Sequence, residues 1–92
     1  MDLDGFQRGI GETYLARDAE RGVPATVAWL AEEVGELAQA VRKGTAAQQL
    51  HELGDVLAWL ASLANQLDLS LDGAVTRYAE GCPRCGGRPC GC

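Results

Sequence analysis

The sequence predicts an all-α fold, an antiparallel bundle of about four helices that assembles as an oligomer. Two observations predict the helices. Apolar residues recur at spacings of three and four from Phe6 to Leu67, and no stretch alternates with the two-residue period of a strand. A third predicts the assembly. The chain has 92 residues, and a domain that small buries only about 60–65% of the surface its unfolded chain exposes. A partner subunit or a bound metal would supply what its own core lacks.

The elements follow in order. Leu3 to Glu20 carries Phe6, Ile10 and Tyr14 at i, i+4, i+8 and reads as a helix weakened by Gly9 and Gly11. "RGVPAT" breaks the chain, with Pro24 suited to the first turn of a second helix. That helix runs to Lys43 and carries a stripe of Val27, Leu30, Ala31, Val34, Leu37, Ala38 and Val41. Gly44 stops it, and "TAAQ", Thr45 to Gln48, has the form of a capping box for the third helix. The third helix extends to Leu67, with Leu50, Leu53, Leu57, Leu60, Ala64 and Leu67 spaced as a bundle seam. Ser70 is a candidate N-cap for a fourth helix over Leu71 to Glu80, ended by Gly81. Helices two and three form a hairpin with a short loop.

The net charge of −5 excludes the basic face expected of a nucleic-acid binder. It does not exclude nucleotides, whose phosphates are reachable through cations. No apolar run approaches the ~20 residues of a membrane span. The N-terminal "MDLDGFQRGIG" lacks the layout of a signal peptide. The expected location is cytoplasmic, with no membrane partner.

The charges of the hairpin carry the chemistry. At about 100° per residue, Glu33 borders the apolar stripe of helix two and Glu36 lies about 60° beyond it. On helix three Glu52 borders the seam and Asp55 lies beyond it in the same way. A hairpin folded about Gly44 and Thr45 brings the two pairs level. Four carboxylates would then converge, which is unfavourable in low dielectric unless a cation joins them. Hard oxygen ligands suit Mg²⁺ or Mn²⁺, and inward carboxylates on paired helices are a way to build such a site. The simpler alternative is a solvated acidic face.

"EEVGE", Glu32 to Glu36, followed by "ELGD", Glu52 to Asp55, resembles the signature of the MazG-like all-α nucleoside triphosphate pyrophosphohydrolases. That signature is Glu-Glu-x-x-Glu, a spacer, and Glu-x-x-Asp. The resemblance takes in the flanking "WLAEEVGELAQAV" and "GDVLAWLASLANQL", about half the chain. It implies Mg²⁺-dependent cleavage of the α–β phosphate bond of a nucleoside triphosphate, giving a monophosphate and pyrophosphate, in a homodimer or homotetramer. It further implies Glu33, Glu36, Glu52 and Asp55 as metal ligands, and Glu32 as the residue that orients or deprotonates the attacking water. House-cleaning of non-standard nucleotides is the implied role. The rival readings are a phosphoribosyl-ATP pyrophosphohydrolase-like enzyme and a non-catalytic zinc-tailed interaction module.

Other residues are candidates by position. Trp29 and Trp59 lie at the end of the carboxylate cluster away from the loop, where they would stack on a base or fill a subunit interface. Lys43 lies towards the loop, as a phosphate contact or as a helix C-terminal charge. His51 reads as a solvent or packing residue, and Arg77 and Tyr78 as packing residues or as side chains that close over a substrate. Asn65 would satisfy a neighbouring helix or touch nucleotide. All four cysteines fall in "CPRCGGRPCGC". Cys82 and Cys85 have the form of a zinc knuckle, and Cys90 and Cys92 would complete a tetrahedral Zn²⁺ site; the alternatives are a disordered tail with reactive thiols and a set of disulfides. The expected organisation is a helical catalytic domain over residues 1–81 and a cysteine-rich tail over residues 82–92.

Overall fold

The computed structural model describes residues 1–92. It is all-helical, with α1 over Leu3–Arg21, α2 over Val23–Lys43, α3 over Ala46–Gln66 and α4 over Leu71–Val75. Each start has a local cause. Asp2 caps α1 by accepting from the Gly5 amide at 2.7 Å. α2 opens with Pro24 in its first turn. The Thr45 hydroxyl accepts from the Gln48 amide at 3.2 Å, and the Gln48 side chain accepts from the Thr45 amide at 2.8 Å. This is the expected capping box. Ser70 caps α4 through the Gly73 amide. Gly44 allows the tight α2–α3 turn, because a Cβ there would sit 2.7 Å from the Ala40 carbonyl.

The fourth helix is shorter than expected. It ends at Val75 and passes into a 3-10 turn over Thr76–Tyr78, instead of reaching Glu80. Gly73, Val75 and Thr76 are weak helix formers placed within four residues of one another, and the Thr76 hydroxyl donates back to the Asp72 carbonyl.

α2 and α3 form an antiparallel hairpin, fastened at both ends by polar side chains. Gln66 donates to the fully buried Thr26 hydroxyl at 2.7 Å at the open end. Gln49 donates to the Ala40 carbonyl at 3.2 Å near the turn. α1 crosses α3 with Gly11 beside Asn65, where a Cβ would lie 3.2 Å from the amide nitrogen. Gln7 is the polar lock of that contact. It donates to the Asn65 side chain and to the Leu69 carbonyl, and accepts from the Leu71 amide, at 2.8–2.9 Å. Asn65 thus satisfies a neighbouring helix, one of its two expected roles.

The hairpin does not close on its most apolar faces. On α2 the residues that turn inward are Thr26, Leu30, Glu33, Leu37 and Ala40; on α3 they are Gln49, Glu52, Val56, Trp59, Leu63 and Gln66. The leucine seam lies about 100° round α3 from that stripe. Leu50, Leu53, Leu57, Leu60 and Leu67 remain 36–73% exposed, as do Val27, Val34 and Val41 on α2 at 47–63%. Helix geometry puts both stripes on one side of the hairpin, and α1 packs on the other. Only seven of the 92 residues are buried, and the radius of gyration is 15.3 Å against about 12 Å for a compact chain of this length. Of the seam read from the sequence only Ala64 is buried, and its leucines stay open to solvent.

Candidate active site

Glu33 and Glu52 sit in the inward stripes, so each carboxylate is held where the two helices meet. Glu36, one turn on from Glu33, reaches the same point. Glu33, Glu36 and Glu52 each offer an oxygen within 4.8 Å of the others. His51, Glu52 and Asp55 form a second such group. Glu52 belongs to both, so the four expected carboxylates occupy one region of the hairpin. Glu32 is exposed and lies outside both groups.

The electrostatics are those of crowded acids. Burial pushes the Glu33 carboxyl above its ordinary pKa of 4.5, and the neighbouring charges of Glu36, Asp55 and Glu52 push it further. Glu52 is raised first by burial and then by Glu36 and Asp55, with His51 opposing. Oε2 of Glu33 and Oε2 of Glu52 are both buried and have no hydrogen-bond partner. Carboxylate oxygens without donors, surrounded by like charge, are the donor set that a hard divalent cation takes. The residues present therefore fit Mg²⁺ or Mn²⁺.

Two cavities flank this cluster. One, of about 500 Å³, runs towards the turn and is lined by Glu36, Gln39, Lys43, Gln48 and Glu52. Lys43 thus shares a cavity with two of the acids. The other lies on the opposite side, between α1 and α3. Trp29 and Trp59 stack at that end, with ring centroids 5.9 Å apart and planes 12° from parallel. The Arg21 guanidinium lies 4.6 Å from the Trp59 ring centroid, a cation–π distance.

Sequence reasoning missed two parts of this arrangement. His51 is exposed, as expected, yet its Nε2 lies 3.3 Å from Asp55 Oδ2. The i, i+4 spacing was the available signal. Asp18 and Arg21 of α1 were also missed, because only the crossing of α1 over α3 brings them to Trp59. Arg77 packs on Tyr78 and lines neither of these cavities.

The four cysteines form a separate cluster. Their sulfurs all lie within 4.8 Å of one another, with Cys82–Cys92 at 3.8 Å, Cys85–Cys90 at 3.9 Å and Cys90–Cys92 at 3.4 Å. All four are free thiols. A sulfur tetrahedron with metal–sulfur bonds of about 2.3 Å has edges of about 3.8 Å. Backbone amides of Gly91 and Gly87 hold the Cys85 thiol down to about 6, and those of Cys85 and Arg84 lower Cys82. Amides aimed at sulfur favour the thiolate, the form that binds metal. Gly81 permits the turn into this tail at φ +106°, where a Cβ would meet Arg88 and the Gly87 carbonyl.

The fold and the site define an all-helical hairpin on which four carboxylates converge, two of them with buried oxygens that lack a partner. The MazG nucleotide pyrophosphohydrolase domain model matches residues 21–84, from the end of α1 through α4 to Cys82 and the residues after it. The chain belongs to that family. No curated protein matches it. No helix is long and apolar enough to cross a membrane.

The raised pKa values predict a pH effect with a definite sign. A carboxyl that keeps its proton to higher pH in the folded chain than in the unfolded one destabilises the fold as pH rises through that interval. Glu33 and Glu52 should therefore weaken the metal-free fold as pH climbs from 4.5 through their raised values. Glu33→Gln should melt above the wild type without metal at about pH 7, and the difference should shrink towards pH 4.5. Thermal melts in chelator across that range check it; a lower melting point for the variant at every pH would contradict it.

Proposed function

We propose that the chain is a Mg²⁺-dependent nucleotide pyrophosphohydrolase that hydrolyses (d)NTPs to (d)NMP and pyrophosphate. The observation that carries this reading is the convergence of Glu33, Glu36, Glu52 and Asp55, with two buried orphan oxygens, in a chain of the MazG family. These four would hold the cation, with Mn²⁺ an alternative. When bound, the cation neutralises phosphate charge and lowers the barrier to attack by water. Water attacks the α-phosphorus, the α–β bridge bond breaks, and pyrophosphate departs with the electron pair.

The remaining residues take defined parts. Glu32 orients the water or accepts its proton, as the leading glutamate of the motif implies. Lys43 meets the departing pyrophosphate as a point charge in the cavity it shares with Glu36 and Glu52. Trp29 and Trp59 receive the base. Removal of non-standard nucleotides in the cytoplasm is the setting we favour, and four free thiols suit a reducing compartment. The tail over residues 82–92 is an accessory that binds structural Zn²⁺ outside the helical domain of residues 1–81. The working form is a homodimer or homotetramer that buries the exposed valine and leucine stripes.

Glu36→Gln and Asp55→Asn should each abolish pyrophosphate release from a mixed nucleotide panel with Mg²⁺, with helix content by circular dichroism unchanged. Full activity in both variants would refute the metal assignment. Purified protein should carry about one Zn²⁺ per chain, since four thiolates close one tetrahedral site, and Cys85→Ser should lose it while activity still requires added Mg²⁺. Metal analysis of reduced, chelator-free protein decides this. Leu57→Lys, in the middle of the exposed seam, should convert the assembly to monomers by sedimentation. An unchanged mass would remove the seam from the interface.

A further inference from the structure

α3 carries a group of ligating atoms that is not made of acids alone. A ring nitrogen of His51 and one oxygen each of Glu52 and Asp55 all lie within 4.8 Å of one another. His51 and Asp55 stand one turn apart, so both project from one face of the helix. Two histidines at that spacing hold one ion in zinc-binding helices. His51 Nε2 lies 3.3 Å from Asp55 Oδ2. Neighbouring ligands of an octahedral ion, with bonds of about 2.1 Å, stand about 3.0 Å apart, so the observed separation is close to that of two ligands on one ion. Oε2 of Glu52 is buried with no partner, and Glu52 also belongs to the group of Glu33 and Glu36. As an ion pair the contact is poor. The two side chains are 71% and 42% exposed, where such pairs contribute little, and 3.3 Å exceeds the about 2.7–2.9 Å of a charge-assisted bond. Neither side chain is committed to the other.

The donor types decide which ion the group takes. Glu33, Glu36 and Glu52 offer oxygen only, which suits Mg²⁺. A neutral imidazole adds a nitrogen, a donor that transition ions accept and that Mg²⁺ passes over for oxygen and water. Two carboxylates keep the set harder than the four thiolates of the tail, which select softer ions. We propose that His51, Glu52 and Asp55 form a nitrogen-and-oxygen site for a divalent transition ion, Mn²⁺ in preference to Mg²⁺, beside the all-oxygen group, with His51 as a metal ligand. The proposal rests on the reading of the acidic cluster as a cation site. His51 lies outside the Glu-x-x-Asp signature, so the motif alone does not place it there. Its exposed side leaves room for waters to complete the coordination.

The chain has a single histidine, so in protein without a histidine tag an imidazole nitrogen on a bound ion can come only from His51. The test adds substoichiometric Mn²⁺ to the full-length protein with Mg²⁺ in excess. Pulsed electron paramagnetic resonance then reads the echo modulation of a coordinated ¹⁴N. The wild type should show it and His51→Gln should not. Titration of the free Mn²⁺ signal should show binding weakened about tenfold or more in His51→Gln, since even residues that only support a ligand cost that much. Mg²⁺ affinity, measured by calorimetry, should change much less. His51 is exposed, so helix content by circular dichroism should be unchanged; if it falls, the wild-type ¹⁴N signal still decides. Bound Mn²⁺ without ¹⁴N modulation in the wild type would overturn the ligand, and an Mn²⁺ affinity unchanged in His51→Gln would overturn the preference. A ¹⁴N signal in a protein that releases no pyrophosphate from any nucleotide would uphold the site and overturn the hydrolase. Binding of neither Mn²⁺ nor Mg²⁺ by the wild type would overturn this site together with the metal assignment of the cluster.

Discussion

Two glutamates on the contact line of a helical hairpin are the constraint that orders this molecule. Glu33 and Glu52 occupy positions that in an ordinary hairpin would hold Leu or Ala. Burial and like charge both act against them. The hairpin has to be held together elsewhere, and it is fastened at its two ends. Gln66 and the buried Thr26 close one end, and Gln49 with the Thr45 capping box closes the other. Between these fasteners the helices keep acids facing one another. A cation would turn that repulsion into attraction, so the hairpin's stability and its chemistry share one cause.

The same constraint displaces the hydrophobic surface. With the inward stripe partly given to acids, the strongest apolar stripes of α2 and α3 turn out on one side, about a quarter-turn away. α1 covers the opposite side, where Asp55 and the α1 cavity lie. The molecule therefore has an apolar face and a chemical face on opposite sides of one two-helix layer. The first is free to bury itself against another subunit without closing the second. A chain with so few buried residues has little else to stabilise it.

Much of this was legible in the sequence. Helix boundaries, the Thr45 box and the Ser70 cap follow from local chemistry, which a sequence carries openly. The level pairing of Glu33 and Glu36 with Glu52 and Asp55 follows from two rotations and a turn position. The direction of the seam was not legible. Period three-four identifies an apolar stripe, but not whether its partner lies in the same chain. α4 was overextended because Thr76 and Val75 favour other conformations once no long neighbour supports the helix. Asp18 was invisible for a different reason. Its environment depends on the angle at which α1 crosses α3, set by Gly11 against Asn65 and by the Gln7 lock, and no local pattern encodes that angle.

α3 ties the two cavities into one path. Gln48, Glu52, Asp55, Trp59 and Ser62 follow one another at spacings of four and three, so they share a face of the helix. Gln48 and Glu52 line the cavity that holds Lys43, and Asp55, Trp59 and Ser62 line the one that holds Asp18. At 1.5 Å per residue, Glu52 and Trp59 stand about 10 Å apart along the axis. The helix then acts as a ruler with carboxylates at its middle marks. Lys43 of α2, the acids of the hairpin and Asp18 of α1 all lie along that face of α3. Each of these depends on a different element, α2, the hairpin seam and α1. Only α3 is common to all three, which explains why the crossing of α1 matters to chemistry that α1 itself does not perform.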